Sequence, residues 1–145
     1  VWLSIWLFHD RLVGWDHTIH PVLIDTPPSA SILTFNALVA ATHVLICADP
    51  EEDAIYGALR IVEIIGEIRE ERLTAPTILG ILVTRTDPTL TRHKEGLQQL
   101  AALHHQGKLP PLVGIVPKRA GQDADRALRD SYAPIAAKIL EADHA

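Results

Sequence analysis

The stretch Val22–Ser29 reads VLIDTPPS, and its reading decides the fold. Val22, Leu23 and Ile24 run straight into Asp25, and Thr26, Pro27 and Pro28 follow. A short apolar run of this kind reads as a strand covered on both faces. Proline fixes φ at about −65° and has no N–H, so Pro27 and Pro28 hold the residues after the strand out of regular structure. An acid at a strand end admits two readings. It caps the following helix or sets a turn, or it offers a carboxylate to a cation or to donors, since an unpaired buried charge is expensive. A rigid turn beside a carboxylate suits a sensor of magnesium and phosphate.

Outward from this stretch, strands and helices alternate. SASILTFNALVAA follows, with Ile32, Leu33, Phe35, Leu38 and Val39 near helical spacing and Ser29 or Ser31 as cap. HVLICA (His43–Ala48) is a second apolar strand, closed by the acidic turn DPEED, which complements a helix N-terminus. Ile55, Leu59, Val62, Ile64 or Ile65, and Ile68 then form one apolar stripe, opposite Glu63, Glu67, Arg69 and Glu70. TILGILVT (Thr77–Thr84) reads as a third strand, DPTLTR as a loop, HKEGLQQLAALHH as a helix and PLVGIVP (Pro111–Pro117) as a fourth strand. The tail predicts a short helical turn around Asp123–Arg129. A last helix follows, with Pro134 in its first turn and Ile135, Ile139 and Leu140 facing inward. Such alternation predicts an α/β fold, a mostly parallel sheet with helices on both faces. Ligands in such sheets sit at the carboxyl ends of the strands, where Asp25 lies.

The bulk numbers narrow the function. The chain has 145 residues, the size of one domain, and is 48% hydrophobic and 21% charged, enough to build a core. A formal charge of −5 means that any nucleic-acid contact comes from a local patch. A single cysteine, Cys47, excludes an intrachain disulfide framework or a cysteine-based zinc site. The eight histidines show no metalloprotease spacing and read as solvated or structural. VWLSIWLF at the start is far shorter than the ~20 residues that span a bilayer, and it has neither a basic segment before it nor a cleavage site, so no signal peptide is expected. No methionine occurs, even at position 1, which predicts a piece of a longer chain or a processed product.

With these residues in view, the chain resembles the ParA family of chromosome and plasmid partition ATPases, within the MinD/ParA class of deviant P-loop proteins. The likeness is carried by DTPPS with NAL (Asn36–Leu38) downstream, by HVLICADPEEDAIYGALRIVEII, by ILGILVTRTDPTLTRHKEGLQQL and by LVGIVPKR, in this order, over nearly all of Pro21–Arg119. It implies a P-loop NTPase-like fold seen in its C-terminal portion. The whole chain is then one partial domain: a divergent segment 1–20, and 21–145 running from the Walker B strand to the C-terminal helix. Asp25 matches the Walker B aspartate, which supports Mg²⁺ through water and is the catalytic candidate. Thr26, Pro27 and Pro28 match the switch segment that senses the γ-phosphate. Thr84 matches a position near the adenine, Pro117 and Lys118 match the loop bordering the base, and Pro50 and Glu51 match a segment near the family's dimer face. Thr84 and Pro117 also fit simple strand ends.

The resemblance further implies ATP and Mg²⁺ as cofactors, an ATP-dependent homodimer that binds DNA nonspecifically, a ParB-type centromere-binding partner that stimulates hydrolysis, and a cytoplasmic, nucleoid-associated location. Two departures stand out. No GK[ST] loop occurs in the 145 residues, so nothing in them is expected to cradle the phosphates, and the isolated chain is expected to be inactive. AGQDADRALRDS (Ala120–Ser131) replaces the family's loop before the last helix. Alternatives are a degenerate, non-catalytic partner-binding module, and a MinD-like ATPase held at a membrane by a basic amphipathic tail. The tail APIAAKILEADHA has one lysine against Glu141 and Asp143, which disfavours anionic lipid, so no membrane partner is expected. Late basic residues Lys118, Arg119, Arg126 and Arg129, with Arg85, Arg92 and Lys94 earlier, are read either as a solvated face or as a phosphate-backbone contact sharing one face of the sheet, with Arg119, Arg126 and Arg129 as the DNA-binding candidates.

Overall fold

The computed structural model describes residues 2–7, 22–27, 31–71, 73–118 and 124–143. In chain order the elements are β1 (Trp2–Leu7), β2 (Val22–Thr26), α1 (Ile32–Ala40), β3 (His43–Ala48), α2 (Glu52–Glu70), β4 (Thr77–Thr86), α3 (Thr91–His105), β5 (Leu112–Pro117) and α4 (Ala124–Asp143). The strands form one sheet in the order β2-β1-β3-β4-β5. β3, β4 and β5 pair in parallel, as buried β-α-β crossovers require. β1 pairs antiparallel with both β2 and β3, so β2 runs the same way as the three parallel strands.

β1 is a strand that the sequence reading did not foresee. Its apolar run was weighed against a membrane span and a leader, and a six-residue stretch of that composition also suits a buried strand between two others. Its register has a consequence for β2. Ser4 stands opposite Asp25 on one side and Leu45 on the other, and Leu45 stands opposite Gly80. Asp25 closes its own strand but is level with the middle of β3.

Helices cover both faces unequally. α1, α2 and α3 pack one face, where Leu38, Val44, Ile46, Ile55, Ile65, Ile68, Ile81, Val83 and Leu100 are fully buried. Each such side chain contributes about 1.5–3 kcal/mol over its exposed state. Among the described residues α4 alone covers the other face, with Ile135 and Ile139 against Leu45, Leu82 and Val116. The stripe of α2 is buried through Ile55, Ala58, Ile61, Ile64, Ile65 and Ile68, while Leu59 and Val62 flank it half-buried.

Local details settle one alternative and correct two expectations. Of the two serines offered as cap, Ser31 caps α1, its Oγ accepting from the Thr34 N–H at 3.4 Å. Ile32 and Leu33, expected near the inward side of α1, are 70% and 65% exposed, because Thr34, Ala37 and Leu38 set the buried side. The tail is one continuous helix with Pro134 in its interior rather than a turn followed by a helix, and Leu140 is exposed. Proline has no N–H to offer the carbonyl four residues earlier, and the packing of Ile135 and Ile139 on the sheet offsets that loss.

Gly96 explains how closely α3 approaches the turn after β3. A Cβ at Gly96 would stand 2.2 Å from the Pro50 carbonyl oxygen, so only glycine permits the contact.

Candidate functional site

At the end of β2, side chains alternate across the sheet. Ile24 packs toward the α1–α3 core and Thr26 is 3% exposed, while Leu23 and Asp25 point the other way and are exposed. Asp25 is therefore an accessible carboxylate at a strand end, followed by exposed Pro27. Pro28 lies outside the described residues, as does Arg119. Among the described residues no group of three or more His, Cys, Asp or Glu could hold a metal ion.

The carboxyl ends of β3, β4 and β5 are built differently. They are cross-linked by side chains and backbone across three loops. Asp49, immediately after β3, accepts the Thr84 hydroxyl on Oδ1 at 2.9 Å. It also takes the fork of Arg85: Nε donates to both oxygens, at 3.1 and 2.9 Å, and Nη2 donates to Oδ2. Arg85 has φ 53°, a left-handed conformation that non-glycine residues rarely adopt. The fork holds it there. One strand further, the Lys118 N–H donates to the Thr86 carbonyl at 2.8 Å, and the Thr86 hydroxyl donates to the Val116 carbonyl at 3.3 Å.

His93 ties the next two loops together. The Asp87 N–H donates to His93 Nδ1 at 2.9 Å, which leaves Nε2 to carry the proton and donate to Glu51 Oε1 at 3.4 Å. Asp87 Oδ1 in turn accepts from the Thr89 N–H and hydroxyl at 2.9 and 2.6 Å, and these bonds hold its carboxyl below the usual range. A cavity of about 230 Å³ opens among these groups, with Asp49, Glu51 and Asp87 facing Arg85, Arg92 and Lys118. Beside it an apolar cleft of about 280 Å³ lies between α3 and the end of β5, lined by Leu97, Ile115 and Pro117.

Of the residues expected at the site, Thr84, Pro117 and Lys118 come together at these loops, with Thr84 half-buried and bound to Asp49. Asp25 and Thr26 do not join them. β2 and β4 are three strand positions apart, roughly 14 Å, and Thr84 stands four residues beyond the level of Asp25, roughly 13 Å along the strands. Pro50 is buried, its carbonyl oxygen closed over by Gly96, whereas Glu51 is exposed and engages Arg92 at 3.5 Å as well as His93.

Among the described residues the basic groups are divided between the two faces of the sheet. Arg92 and Lys94 are in the first turn of α3, which packs on the β1–β5 sheet opposite α4, and α4 carries exposed Arg129. Arg85 is taken by Asp49 and Arg92 by Glu51. Arg126 is in α4, and its side chain lies outside the described part. The sequence reading missed Asp49, Arg85 and His93 as a set. Asp49 and Arg85 are 36 positions apart, and the only signal was that Asp49, like Asp25, closes an apolar strand.

Comparisons with known proteins bear on the same segment. Residues 7–78 match the sequence model of a family described as an AAA domain. A ParA family protein of Chlamydia trachomatis is 48% identical over 69 residues, 48% of this chain and 26% of the relative. The chromosome-partitioning ATPase Soj of Thermus thermophilus is 41% identical over 66 residues, 46% of this chain and 26% of that protein. The matches thus span about a quarter of the length of these relatives. Among solved structures, cobyrinic acid a,c-diamide synthase from Mycobacterium smegmatis, with bound ADP and magnesium, superposes with a TM-score of 0.57 at 26% identity. The superposition covers 73% of this chain and 42% of that one. No helix among the described residues is long and apolar enough to cross a membrane. The strand-ending DTPPS, the α/β sheet and these matches point the same way: over this segment the chain is similar to ParA family partition proteins.

Proposed function

We propose that the chain contributes the magnesium-side and base-side walls of an ATP site in a partition ATPase. The observation that carries this reading is Asp25, an accessible carboxylate at the carboxyl end of β2 within the segment matched to the family. Asp25 would support Mg²⁺ through water, with Thr26, Pro27 and Pro28 beside the γ-phosphate. Thr84, Pro117 and Lys118 would border the adenine. The lateral spacing between β2 and β4 leaves room for a ligand laid across the strand ends, its metal end toward Asp25 and its base toward Thr84. Bound Mg²⁺ would neutralise charge on the transferring phosphoryl group. ADP and magnesium in the superposed synthase support this choice of ligand. ATP-dependent dimerisation, nonspecific DNA contact through Arg119, Arg126 and Arg129, stimulation by a ParB-type partner and a nucleoid-associated, cytoplasmic location complete the proposal.

The test begins with the reading frame upstream of Val1. Where that frame supplies a GK[ST] loop, the protein expressed from it should turn over ATP with magnesium, and Asp25→Ala should lower turnover by about a hundredfold or more with the fold unchanged by circular dichroism. Unchanged turnover returns Asp25 to a turn-setting role. A frame without such a loop favours the second reading, a non-catalytic module that binds partners.

A further inference from the structure

Thr84 does not present an ordinary hydroxyl. A threonine hydroxyl has one proton to donate and two lone pairs that accept. Here the proton is directed to Asp49 Oδ1 at 2.9 Å. Asp49 is a partner that only accepts while ionised, and the surroundings keep it so. Burial works against its charge, but hydrogen bonds from Arg85 and Thr84 and the positive charge of Arg85 outweigh burial, so its carboxyl titrates below its ordinary value near 3.8. The arrangement cannot invert at neutral pH, because Asp49 has no proton to give back. Arg85 reinforces it by donating to both carboxylate oxygens, which fixes the plane of the Asp49 carboxylate. Thr84, a half-buried residue, would therefore meet a ligand at its hydroxyl as an acceptor alone.

We infer that Asp49 is a specificity-determining residue of the proposed nucleotide site: by holding the Thr84 hydroxyl proton, it makes Thr84 an acceptor that selects a purine with an exocyclic amine over one with a carbonyl at the same position. The inference rests on the reading of Thr84 as a base-side residue. Adenine offers an N6 amine donor where guanine and hypoxanthine offer an O6 acceptor. Against O6, two acceptors face each other and both lose their hydrogen bonds to water, which is the stronger form of discrimination. Asp49 acts through Thr84 and needs no contact with the base. It is a positioning residue in that sense.

The probes are adenosine and inosine, nucleosides that differ at the six-position and need no phosphate cradle. They are titrated into the ¹⁵N-labelled 145-residue chain while the amide signals of Thr84, Arg85 and Thr86 are followed. Adenosine should bind about tenfold more tightly than inosine, the scale of one mismatched hydrogen bond. Asp49→Ala should bring the two affinities within about twofold, because the freed hydroxyl can then donate to O6. Thr84→Val should do the same, and Thr84→Ser should keep the preference. Arg85→Gly is the control for loop rigidity: it removes the ion pair, suits φ 53° and leaves the Thr84–Asp49 bond, so the preference should persist. Equal affinities in the wild type, or a preference that survives Asp49→Ala in a folded protein, overturn the inference and leave the base-side reading standing. Loss of preference in Arg85→Gly also overturns it, in favour of loop rigidity. If neither nucleoside moves the three amide signals, the base-side reading falls, and the inference with it.

Discussion

The carboxyl end of β2 and the carboxyl ends of β3–β5 are both offered to ligands, on different terms. At β2, Asp25 projects from an edge strand whose outer face shows Leu23 54% exposed, and its level is set by pairing with β1. At β3–β5 the strands are parallel, with β3 and the middle of β4 buried on both faces, and tied at their ends through Asp49, Thr86 and His93. The first end is open and set back. The second is cross-linked and carries a left-handed backbone conformation at Arg85, whose side chain is held by Asp49. A carboxylate that meets a hydrated cation needs access more than rigidity, whereas a group that reads hydrogen-bond polarity needs its proton fixed.

The comparison can be broken by stability measurements, beginning with the cores beneath the two ends. Ile81→Ala, at a fully buried position of the parallel strand β4, should cost about 2–5 kcal/mol in denaturant unfolding, while Leu23→Ala on the β2 side should stay within about 0.5 kcal/mol. Similar losses would show that the outer face of β2 is covered in solution. Gly96→Ala should cost about 1–3 kcal/mol, since its Cβ would meet the Pro50 backbone rather than a side chain that can move aside. A neutral result would mean that the turn after β3 yields, and that the cross-linked end is softer than its bonds suggest.

Asp49→Ala should cost about 1–2 kcal/mol at neutral pH, toward the low end because solvent around Arg85, 65% exposed, screens the ion pair. Its pH dependence sharpens the contrast. A carboxyl whose folded pKa is lowered binds its proton more weakly in the folded state than in the unfolded chain, so its stabilisation is present above about pH 3.8 and is lost as pH falls through the lower folded value. The wild-type and Asp49→Ala unfolding free energies should therefore converge in acid, below the ordinary carboxylate range. A gap that stays constant with pH would assign the loss to packing. A similarly small effect is expected at Ser31→Ala, about 0.5 kcal/mol by thermal unfolding, because the capping bond is long at 3.4 Å. A loss above about 2 kcal/mol would mean that the start of α1 stabilises the β2 end far more than one cap can.

Much of this architecture was legible in local pattern. HVLICA is a strand at the bounds read from its apolar run, and the stripe of α2 faces the core, because burial on a sheet imposes a period that one segment displays by itself. The DTPPS segment marked Asp25 for the same local reason: proline and a terminal acid interrupt an apolar strand whatever surrounds it. The end of β4 was less legible. Thr84 was read as its last residue, yet the strand continues to Thr86, held by the Lys118 N–H from a neighbouring strand.

What the tertiary structure alone decided is pairing between distant segments. Trp2–Leu7 is apolar in a way that suits several fates, and only its insertion between β2 and β3 makes it a strand and places Asp25 level with Leu45. Asp49 and Arg85 look like ordinary surface charges until parallel pairing of β3 with β4 brings them side by side. The hydroxyl of Thr84 acquires a direction only there. Periodicity and turn chemistry are properties of neighbours in the chain, so the sequence by itself determined the elements and the acid at the end of β2. Strand order, register and hydrogen-bond polarity arise from contacts between residues far apart in the chain, and these were decided only when the sheet formed.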